Sequence, residues 1–408
     1  MSDDVLVLIL ALMPVKDAVA TSSLATRWRY VWRKLRQLHF DGFEAFLKGV
    51  RVDSVADSER DKYINQVNSV IQSYNHPTVK DFRIRYGLNR NHKDVIDIWL
   101  EFAIERKVEF LELDLLFISD NYDFPSRLYI QRIPACFHMV VALPYLKKLI
   151  LKNVNVTKEI FNELLKQSPL LEMVSIYYQR YLDHIQIDGQ ARNLTHFEIE
   201  GMCHVDSICL SNLDLVSLTC KGLRVDLHLA HIPKLKELVL DISFKNFNNL
   251  FGQISSCALS LQYLSISVDE PEGYLIFESI PMFPNLKKLK LAVGGGSDDC
   301  LLFLASILNA CPNLETFSIT PRWTSPIIRR KKARDATNPN KHLKLVKIVE
   351  YKGRKCDFEL AAYIIQTAVS LKKAVIAISR DCLKKEDVKS RAKLIESIKP
   401  KGVELVIV

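Results

Sequence analysis

The sequence predicts an α/β solenoid with a parallel sheet on its concave side, preceded by a small all-helical module. Two observations lead to this prediction. A short apolar pattern recurs at a regular spacing from residue 79 onward, and the first 40 residues do not follow it. Repeats of this kind stack on one another, so that the core is continuous although no single unit can bury its own apolar face.

The recurring pattern is an apolar residue followed three positions later by a second and two positions further by a third, as in LKKLIL, LKELVL and LQYLSI. Successive triplets begin roughly 20–29 residues apart, the period of leucine-rich repeats, which form horseshoe-shaped solenoids. The last two apolar residues of a triplet share the core-facing side of a short strand, and the residue between them faces the concave side. The triplets are Val79-Phe82-Ile84, Val108-Leu111-Leu113, Leu146-Leu149-Leu151, Leu171-Val174-Ile176, Leu194-Phe197-Ile199, Leu215-Leu218-Cys220, Leu235-Leu238-Leu240, Leu261-Leu264-Ile266, Leu286-Leu289-Leu291, Leu314-Phe317-Ile319, Leu343-Val346-Ile348 and Leu371-Ala374-Ile376.

The segments that return the chain between triplets predict helices wherever they are long enough. Residues 157–167 (TKEIFNELLKQ) place their apolar residues on one helical face, and the Thr157 hydroxyl suits a helix N-cap. The returns on either side of Leu215 are too short for a full helix. At the C-terminal end, residues 403–408 (VELVIV) predict a buried terminal strand after a helical stretch over 384–398, which caps the last repeat.

Composition indicates a folded chain that is neither exported nor inserted in a membrane. Hydrophobic residues make up 48% and charged residues 25%, and no apolar run reaches the roughly 18 residues that a membrane-spanning helix needs. The nine cysteines show no paired spacing, which is typical of core thiols in a reducing compartment. We therefore expect a cytoplasmic or nuclear location, or both, and no membrane partner.

No group of residues suggests a catalytic, cofactor-binding or metal-binding site, and we expect a non-enzymatic protein. No Ser or Cys has a base and an orienting carboxylate in its sequence context. Cys203, His204, Cys209 and Cys220 match no zinc-binding spacing. The net charge of +9 is dispersed, so no nucleic-acid partner is expected. The densest basic cluster, 329–334 (RRKKAR), predicts an exposed loop; a nuclear address or a contact with an acidic partner stays open for it.

The first 40 residues predict two or three short helices packed as a separate module. Apolar residues lie almost all round the first helix, which is more apolar surface than so small a module can bury by itself. Part of that surface is therefore expected to bind a partner. The apolar residues are Val5, Leu6, Val7, Leu8, Ile9, Leu10, Leu12 and Met13.

This module resembles the F-box of plant F-box proteins with leucine-rich repeats, whose typical form is L-P-D-D-V-L-x-x-I-L-S-x-L-P-x-K-D-A-V-x-T-S-x-L-S-x-R-W-R. Residues 343–376 are also similar to the FBD region that closes the repeats of this family. The likeness therefore covers nearly the whole chain. The matching F-box positions are Asp3, Asp4, Val5, Leu6, Ile9, Leu10, Pro14, Lys16, Asp17, Ala18, Val19, Thr21, Ser22, Leu24, Arg27, Trp28 and Arg29.

The resemblance implies a substrate-recognition subunit of an SCF-type (Skp-cullin-F-box) ubiquitin ligase. In such proteins the F-box docks on a Skp-type adaptor, which links to a cullin, and the repeats bind the protein that is to be ubiquitinated. The regions implied are an F-box-like helical module at 1–40, a linking helical segment at 41–78, leucine-rich repeats at 79–340, and FBD-like C-terminal repeats with a cap at 341–408.

The residues predicted to bind the adaptor lie in the F-box-like module. Trp28 suits a core position as well as an adaptor contact, because tryptophan is favoured in both roles. The protein substrate stays unknown, since its identity cannot be inferred from concave residues such as Lys148, Glu237 and Lys290. The predicted adaptor-binding residues are Asp4, Val5, Leu6, Ile9, Leu10, Pro14, Val19, Leu24 and Trp28.

Two alternatives to the ligase subunit stay open. Met1 and Ser2 stand where the family has Leu-Pro, and Ala11, Met13 and Ala25 replace Ser, Leu and Ser. One alternative is therefore a repeat-based interaction or decoy protein with an F-box too short to dock, unless the natural start lies further upstream. The other is a small-molecule receptor, which needs a closed pocket on the concave face.

Overall fold

A computed structural model divides the chain into two compact units, Met1–His204 and Val205–Val408. Each unit is built on a parallel β-sheet. In the described part of either unit, no helix is both long and apolar enough to cross a membrane. The structure describes residues 3–51, 53–116, 121–125, 143–201, 205–223, 225–242, 247–268, 280–295, 307–323, 341–380 and 385–408.

The first unit begins with the predicted all-helical module. Leu6 and Leu10 of its first helix are buried, as are Val31 and Trp32 of the 3₁₀ helix that this helix contacts. These side chains give the small module a core of its own. The module contains α1 (Asp3–Leu10), α2 (Val15–Ala20) and three 3₁₀ helices, Thr21–Ser23, Thr26–Trp28 and Val31–Lys34.

The sheet of the first unit begins earlier than predicted, before residue 79. Gln37–Asp41 forms a strand, β1, that pairs in parallel with the next strand of the sheet. Leu35, Leu38 and Phe40 are buried and have the same spacing as the predicted triplets. The F-box-like module therefore leads directly into a repeat strand that the sequence prediction missed.

Two helices follow β1, so the linking segment is helical. They are α3 (Phe43–Arg51) and α4 (Asp53–Ser73). Tyr63 fastens α4 to the sheet, because its ring stacks on Tyr86 with centroids 4.3 Å apart and its hydroxyl donates to the Phe40 carbonyl at 2.7 Å. The link thus packs on the first repeats and does not form a free spacer.

The main sheet of the first unit is parallel throughout, and each strand pairs with the next main strand along the chain. Leu38, Phe82, Leu111 and Leu149 are direct neighbours across the strands, so the core residues of successive repeats stack. The main strands are β1, β2 (Asp81–Arg85), β3 (Phe110–Asp114), β5 (Lys148–Lys152), β7 (Met173–Tyr177) and β9 (His196–Glu200). Between them in the chain lie α5 (Lys93–Glu105), β4 (Tyr122–Asp123), β6 (Val154–Asn155), α6 (Lys158–Gln167) and β8 (His184–Asp188).

The second unit repeats this plan. Its main strands pair in parallel in chain order, and Leu238, Leu264, Leu289 and Phe317 stack across them. The main strands are β11 (Ser217–Leu223), β13 (Glu237–Ile242), β14 (Tyr263–Val268), β15 (Lys288–Gly295), β16 (Thr316–Trp323), β17 (Leu345–Tyr351), β18 (Lys373–Ile378) and β19 (Glu404–Ile407). The other elements are β10 (Ser207–Ser211), which pairs with β12 (Asp226–Ala230), and helices α7 (Phe247–Ile254), α8 (Lys355–Thr367) and α9 (Lys385–Lys393).

The predicted triplets form the core of both units. Every residue of every predicted triplet is buried, and the most exposed, Leu371, keeps 7% of its surface. Their second and third positions alternate along the strands as the pattern predicts. The chain is therefore an α/β leucine-rich-repeat solenoid with a helical N-terminal module, which confirms the predicted fold class.

The segments that return the chain between repeat strands form helices where they are long and strands where they are short. The helix predicted at 157–167 is α6, and the Thr157 hydroxyl caps it by accepting a hydrogen bond from the Ile160 amide at 3.4 Å. The short returns near Leu215 contain strands β10 and β12 instead of helices. An extended strand rises about 3.3 Å per residue and a helix about 1.5 Å, so a strand spans the same distance with fewer residues.

The C-terminal end contains the predicted helix and strand, α9 and β19. The helix is shorter than predicted, because Leu394–Ser397 continues it as a 3₁₀ turn. Val403 is buried, but Leu405, Val406 and Ile407 are half-buried and Val408 is 71% exposed, so the prediction of a buried terminal strand is wrong for most of its length. The basic cluster at 329–334 lies outside the described residues.

Candidate interaction surfaces

Helix α1 and the turn after it expose a cluster of apolar side chains. Leu8 and Leu12 keep 68% and 88% of their surface, and Val5 and Ile9 keep 41% and 40%. These four positions have the spacing of one helical face, while the buried residues of α1 lie on the opposite side. We call Val5, Leu8, Ile9 and Leu12 the apolar N-terminal face. A cluster of exposed apolar side chains marks a surface suited to binding another protein.

The structure sorts the residues predicted to bind the adaptor into three groups. Leu6 and Leu10 are 1% and 0% exposed, so they are core residues of the module and not part of its surface. Their burial makes a direct adaptor contact less favourable for them than for the exposed residues, and that contact stays a prediction. The exposed ones are Asp4, Val5, Ile9, Pro14 and Leu24, and the half-buried ones are Val19 and Trp28.

The sequence prediction named Leu8 and Leu12 as apolar but did not include them among the adaptor-binding residues, although they are the two most exposed members of the apolar N-terminal face. The F-box pattern leaves both positions unspecified, so the resemblance could not point to them. The helical periodicity was the signal that could have found them, because Leu8 follows Val5 by three residues and Leu12 follows Leu8 by four. Contact of this face with an adaptor stays a prediction.

A second candidate surface is the side of the first unit's sheet that faces away from its buried side chains, which we call the first open face. Most of its charged side chains lie beside oppositely charged neighbours, although the exposed Lys148 forms no ion pair among the described residues. Asp81 accepts two hydrogen bonds from Arg83, each of 2.8 Å, and lies 3.0 Å from His39 Nε2. The first open face consists of Gln37, His39, Asp41, Asp81, Arg83, Arg85, Phe110, Glu112, Asp114, Lys148, Ile150, Lys152, Met173, Ser175, Tyr177, His196, Glu198 and Glu200.

The pairing continues across the next strands of this face. Lys152 Nζ donates to Glu112 and to Asp114, each at 3.1 Å. Arg85 lies 3.3 Å from Asp41 and 3.6 Å from the same Asp114 carboxylate. The strand register explains these pairs, since Asp41, Arg85, Asp114 and Lys152 occupy equivalent positions on consecutive strands.

These contacts favour the charged forms of Asp81 and Lys152. Burial raises the pKa of Asp81, but the contacts with His39 and Arg83 outweigh it, and the pKa falls below the ordinary value of 3.8. Burial lowers the pKa of Lys152, but the carboxylates of Asp114 and Glu112 outweigh it, and the pKa rises. Asp81 and Lys152 therefore find their counter-charges within the network.

A groove of about 1230 Å³ lies between the N-terminal module and the first open face. Its lining includes residues 10–17, Lys48 and Tyr63 of the linking helices, and Arg83 and Lys152 of the open face. The charged side chains of the open-face wall are paired with one another. This wall therefore offers no excess of one charge to a small anion or cation.

The second unit has a corresponding second open face, on which Lys373 pairs with Glu404 at 2.9 Å but the lysines of the neighbouring strands differ. Lys288, Lys290 and Lys347 are exposed, and within the described ranges none of them forms an ion pair. Serine, threonine and apolar side chains surround them in the strand register. Arg322 also lies on this face and donates a hydrogen bond to the Ser267 hydroxyl at 3.3 Å. The second open face consists of Ser217, Thr219, Lys221, Glu237, Val239, Asp241, Tyr263, Ser265, Ser267, Lys288, Lys290, Ala292, Thr316, Ser318, Thr320, Arg322, Leu345, Lys347, Lys373, Val375, Glu404 and Val406.

The described cysteines offer no reactive nucleophile in the core. Burial raises the pKa of Cys220, Cys257 and Cys311 to about 12 in each case, so these thiols stay protonated. No three His, Cys, Asp or Glu side chains in the part of the chain that the structure describes are placed to hold a metal ion. Cys203 and His204 lie outside that part.

Two family models match the chain. The LRR domain described as At1g61320/AtMIF1 matches residues 70–400, and the F-box domain matches residues 1–40. The Arabidopsis thaliana F-box/FBD/LRR-repeat protein At4g26340 is 24% identical over 402 residues, 92% of this chain and 90% of the relative. The F-box/FBD/LRR-repeat protein At1g78750, also from Arabidopsis thaliana, is 25% identical over 426 residues, 93% of this chain and 89% of the relative.

Proposed function

Because the chain belongs to the plant family of F-box proteins with leucine-rich repeats, we propose that it is the substrate-recognition subunit of an SCF-type ubiquitin ligase. In this proposal the N-terminal module binds a Skp-type adaptor, which links to a cullin, and the repeats bind a protein substrate. The protein then acts in the cytoplasm, the nucleus or both. It supplies binding surfaces to the ligase and performs no catalysis itself.

The observation that carries the proposal is the apolar N-terminal face. Leu8 and Leu12 are more than two-thirds exposed, although full burial of one such side chain contributes roughly 1.5–3 kcal/mol. Surface leucines in this number are costly to leave in water unless a partner covers them. The F-box family match falls on this module, so an adaptor is the partner that both observations favour.

The test is co-purification of the full chain with a Skp-type adaptor. The Leu8→Asp, Leu12→Asp double variant should lower adaptor affinity at least about a hundredfold, because it places two charges in an apolar contact. Both positions are exposed, so the module itself should stay folded. Leu6→Asp is unsuitable for this purpose, because Leu6 is buried and its loss would unfold the module.

Leu259→Asp provides a matched control, since Leu259 is 68% exposed, as Leu8 is, but lies in the second unit. This variant should bind the adaptor as the unmodified chain does. Equal binding by the double variant would show that the apolar N-terminal face is not the docking surface. Absence of binding by the unmodified chain would refute the ligase subunit and favour a repeat-based interaction protein that recruits no adaptor.

A further inference from the structure

Three lysines of the second open face have no counter-ion among the residues that the structure describes. Lys288, Lys290 and Lys347 are exposed, and no carboxylate of the described residues pairs with them. Exposed lysines elsewhere in this unit can be paired, as Lys344 is with Glu315 at 2.8 Å. The repeats thus leave a local excess of positive charge on one stretch of the sheet, over β15 to β17.

The strand register places these lysines close together. Lys288 and Lys290 project from the same side of β15, about 7 Å apart along the strand. Lys347 lies two strands from Lys290, about 10 Å away across the sheet. Alternate residues of an extended peptide are also about 7 Å apart, so alternating acidic side chains match this spacing.

The residues around the lysines suit a peptide segment. Ser265 and Ser318 are the register neighbours of Lys290, and their hydroxyls are able to donate hydrogen bonds to carboxylates. Lys347 has Ser318 on one side and Val375 on the other, so apolar surface borders the cationic stretch. A single-stranded nucleic acid instead needs aromatic side chains on which its bases stack, and Tyr263 is the one aromatic ring among the described residues of this face.

We propose that the second open face binds an extended segment of the substrate protein in which aspartate or glutamate residues alternate with apolar residues. The acidic side chains pair with Lys288, Lys290 and Lys347, and the segment runs along the strands of β15 to β17. This inference rests on the proposed function and deepens it, because it names the chemical class of substrate that the repeats take.

The test measures binding of the full chain to a short fluorescein-labelled peptide of alternating glutamate and valine by fluorescence anisotropy. The Lys290→Ala, Lys347→Ala double variant should bind about tenfold more weakly, because it removes two of three cations from the site. The matched control is the Lys236→Ala, Lys372→Ala variant, which loses the same charge from exposed positions just before two strands. It should bind the peptide as the unmodified chain does.

Several outcomes overturn the inference. These are no binding of the peptide by the unmodified chain, equal binding by both double variants, and equal binding of a peptide with glutamine in place of glutamate. Tighter binding of an oligouridylate of the same charge would assign the lysines to nucleic acid instead. Adaptor co-purification on the same preparations keeps the two proposals distinct: intact adaptor binding without peptide binding refutes this inference alone, and the reverse result refutes the ligase subunit alone.

Discussion

The two open faces are built on the same repeat but differ in how far their charges are paired: ion pairs join most charged side chains of β1 to β5 on the first, whereas over β15 to β17 the described lysines of the second form none. On the first open face, Arg83 donates two hydrogen bonds to Asp81. Lys152 donates hydrogen bonds to two carboxylates, those of Glu112 and Asp114. On the second, Lys290 and Lys347 have a serine between them where a carboxylate would pair with both. The repeat fixes the direction in which each side chain points. The residue type at each register position then decides whether a charged side chain pairs with a neighbour on the same face or stays available to a ligand.

This difference has an energetic meaning. Cross-strand ion pairs stabilise the fold when their groups are partly buried and hydrogen-bonded, but a group satisfied in this way has little left to offer a ligand. An exposed, unpaired lysine adds little to folding and keeps its full charge for a partner. We therefore expect substitutions on the first open face to change stability, and substitutions on the second to change binding.

The largest expected effect is on the stability of the first unit. Asp81→Ala should lower the free energy of unfolding by about 1 kcal/mol, because it removes a largely buried carboxylate that pairs with Arg83 and His39, whose side chains are each 38% exposed. Lys290→Ala, the counterpart on the second open face, should stay within about 0.5 kcal/mol of the unmodified chain. Urea unfolding of both variants measures the contrast, and equal losses would mean that the two faces do not differ as described.

The effect of pH should be smaller and confined to acid conditions. The pKa of Asp81 in the folded chain lies below its ordinary value of 3.8, so its ionised form favours folding. That contribution is complete above the unfolded-state pKa and is lost as pH falls through the lower, folded-state pKa. Asp81→Asn lacks this titration, so its stability deficit relative to the unmodified chain should narrow on acidification. Unfolding free energies measured from neutral pH downward check this, and a constant deficit would contradict it.

The fold was largely predictable because the repeat is a local pattern. Each triplet sets its own strand, so every predicted core position is buried without any knowledge of distant contacts. The first strand, β1, was missed although Leu35, Leu38 and Phe40 repeat the pattern, because the segment also closes the F-box-like module. Residues 35–40 fit both the end of the F-box-like module and a repeat triplet, and the sequence prediction assigned them only to the module.

The surfaces were harder to predict, for two physical reasons. The resemblance ranked Leu6 and Leu10 as contacts, but a family pattern does not distinguish residues that build a module from residues that a partner touches. The pairing of His39 with Asp81 and of Arg83 with Glu112 depends on the register between strands that are far apart in sequence. Pairing of this kind is known only once the residues that lie side by side on neighbouring strands are known. The sequence prediction gave the position of each strand in the chain but not this register.

The smallest expected effect comes from giving the second open face the chemistry of the first. Ser318 lies directly between Lys290 and Lys347 in the register, so Ser318→Glu should form cross-strand ion pairs with both lysines. The gain should be about 0.2–1 kcal/mol of unfolding free energy, because exposed pairs of this kind contribute little.

The same substitution should abolish binding of the acidic peptide, since the new carboxylate takes the place of the ligand's. Ser318→Gln is the matched control, because it has nearly the same size and no charge. It should leave the urea midpoint within error of the unmodified chain and preserve most of the peptide affinity. If Ser318→Gln abolishes binding as completely as Ser318→Glu, the size of the side chain at this position blocks the face and charge pairing does not. That result would contradict the claim that unpaired lysines distinguish the second open face from the first.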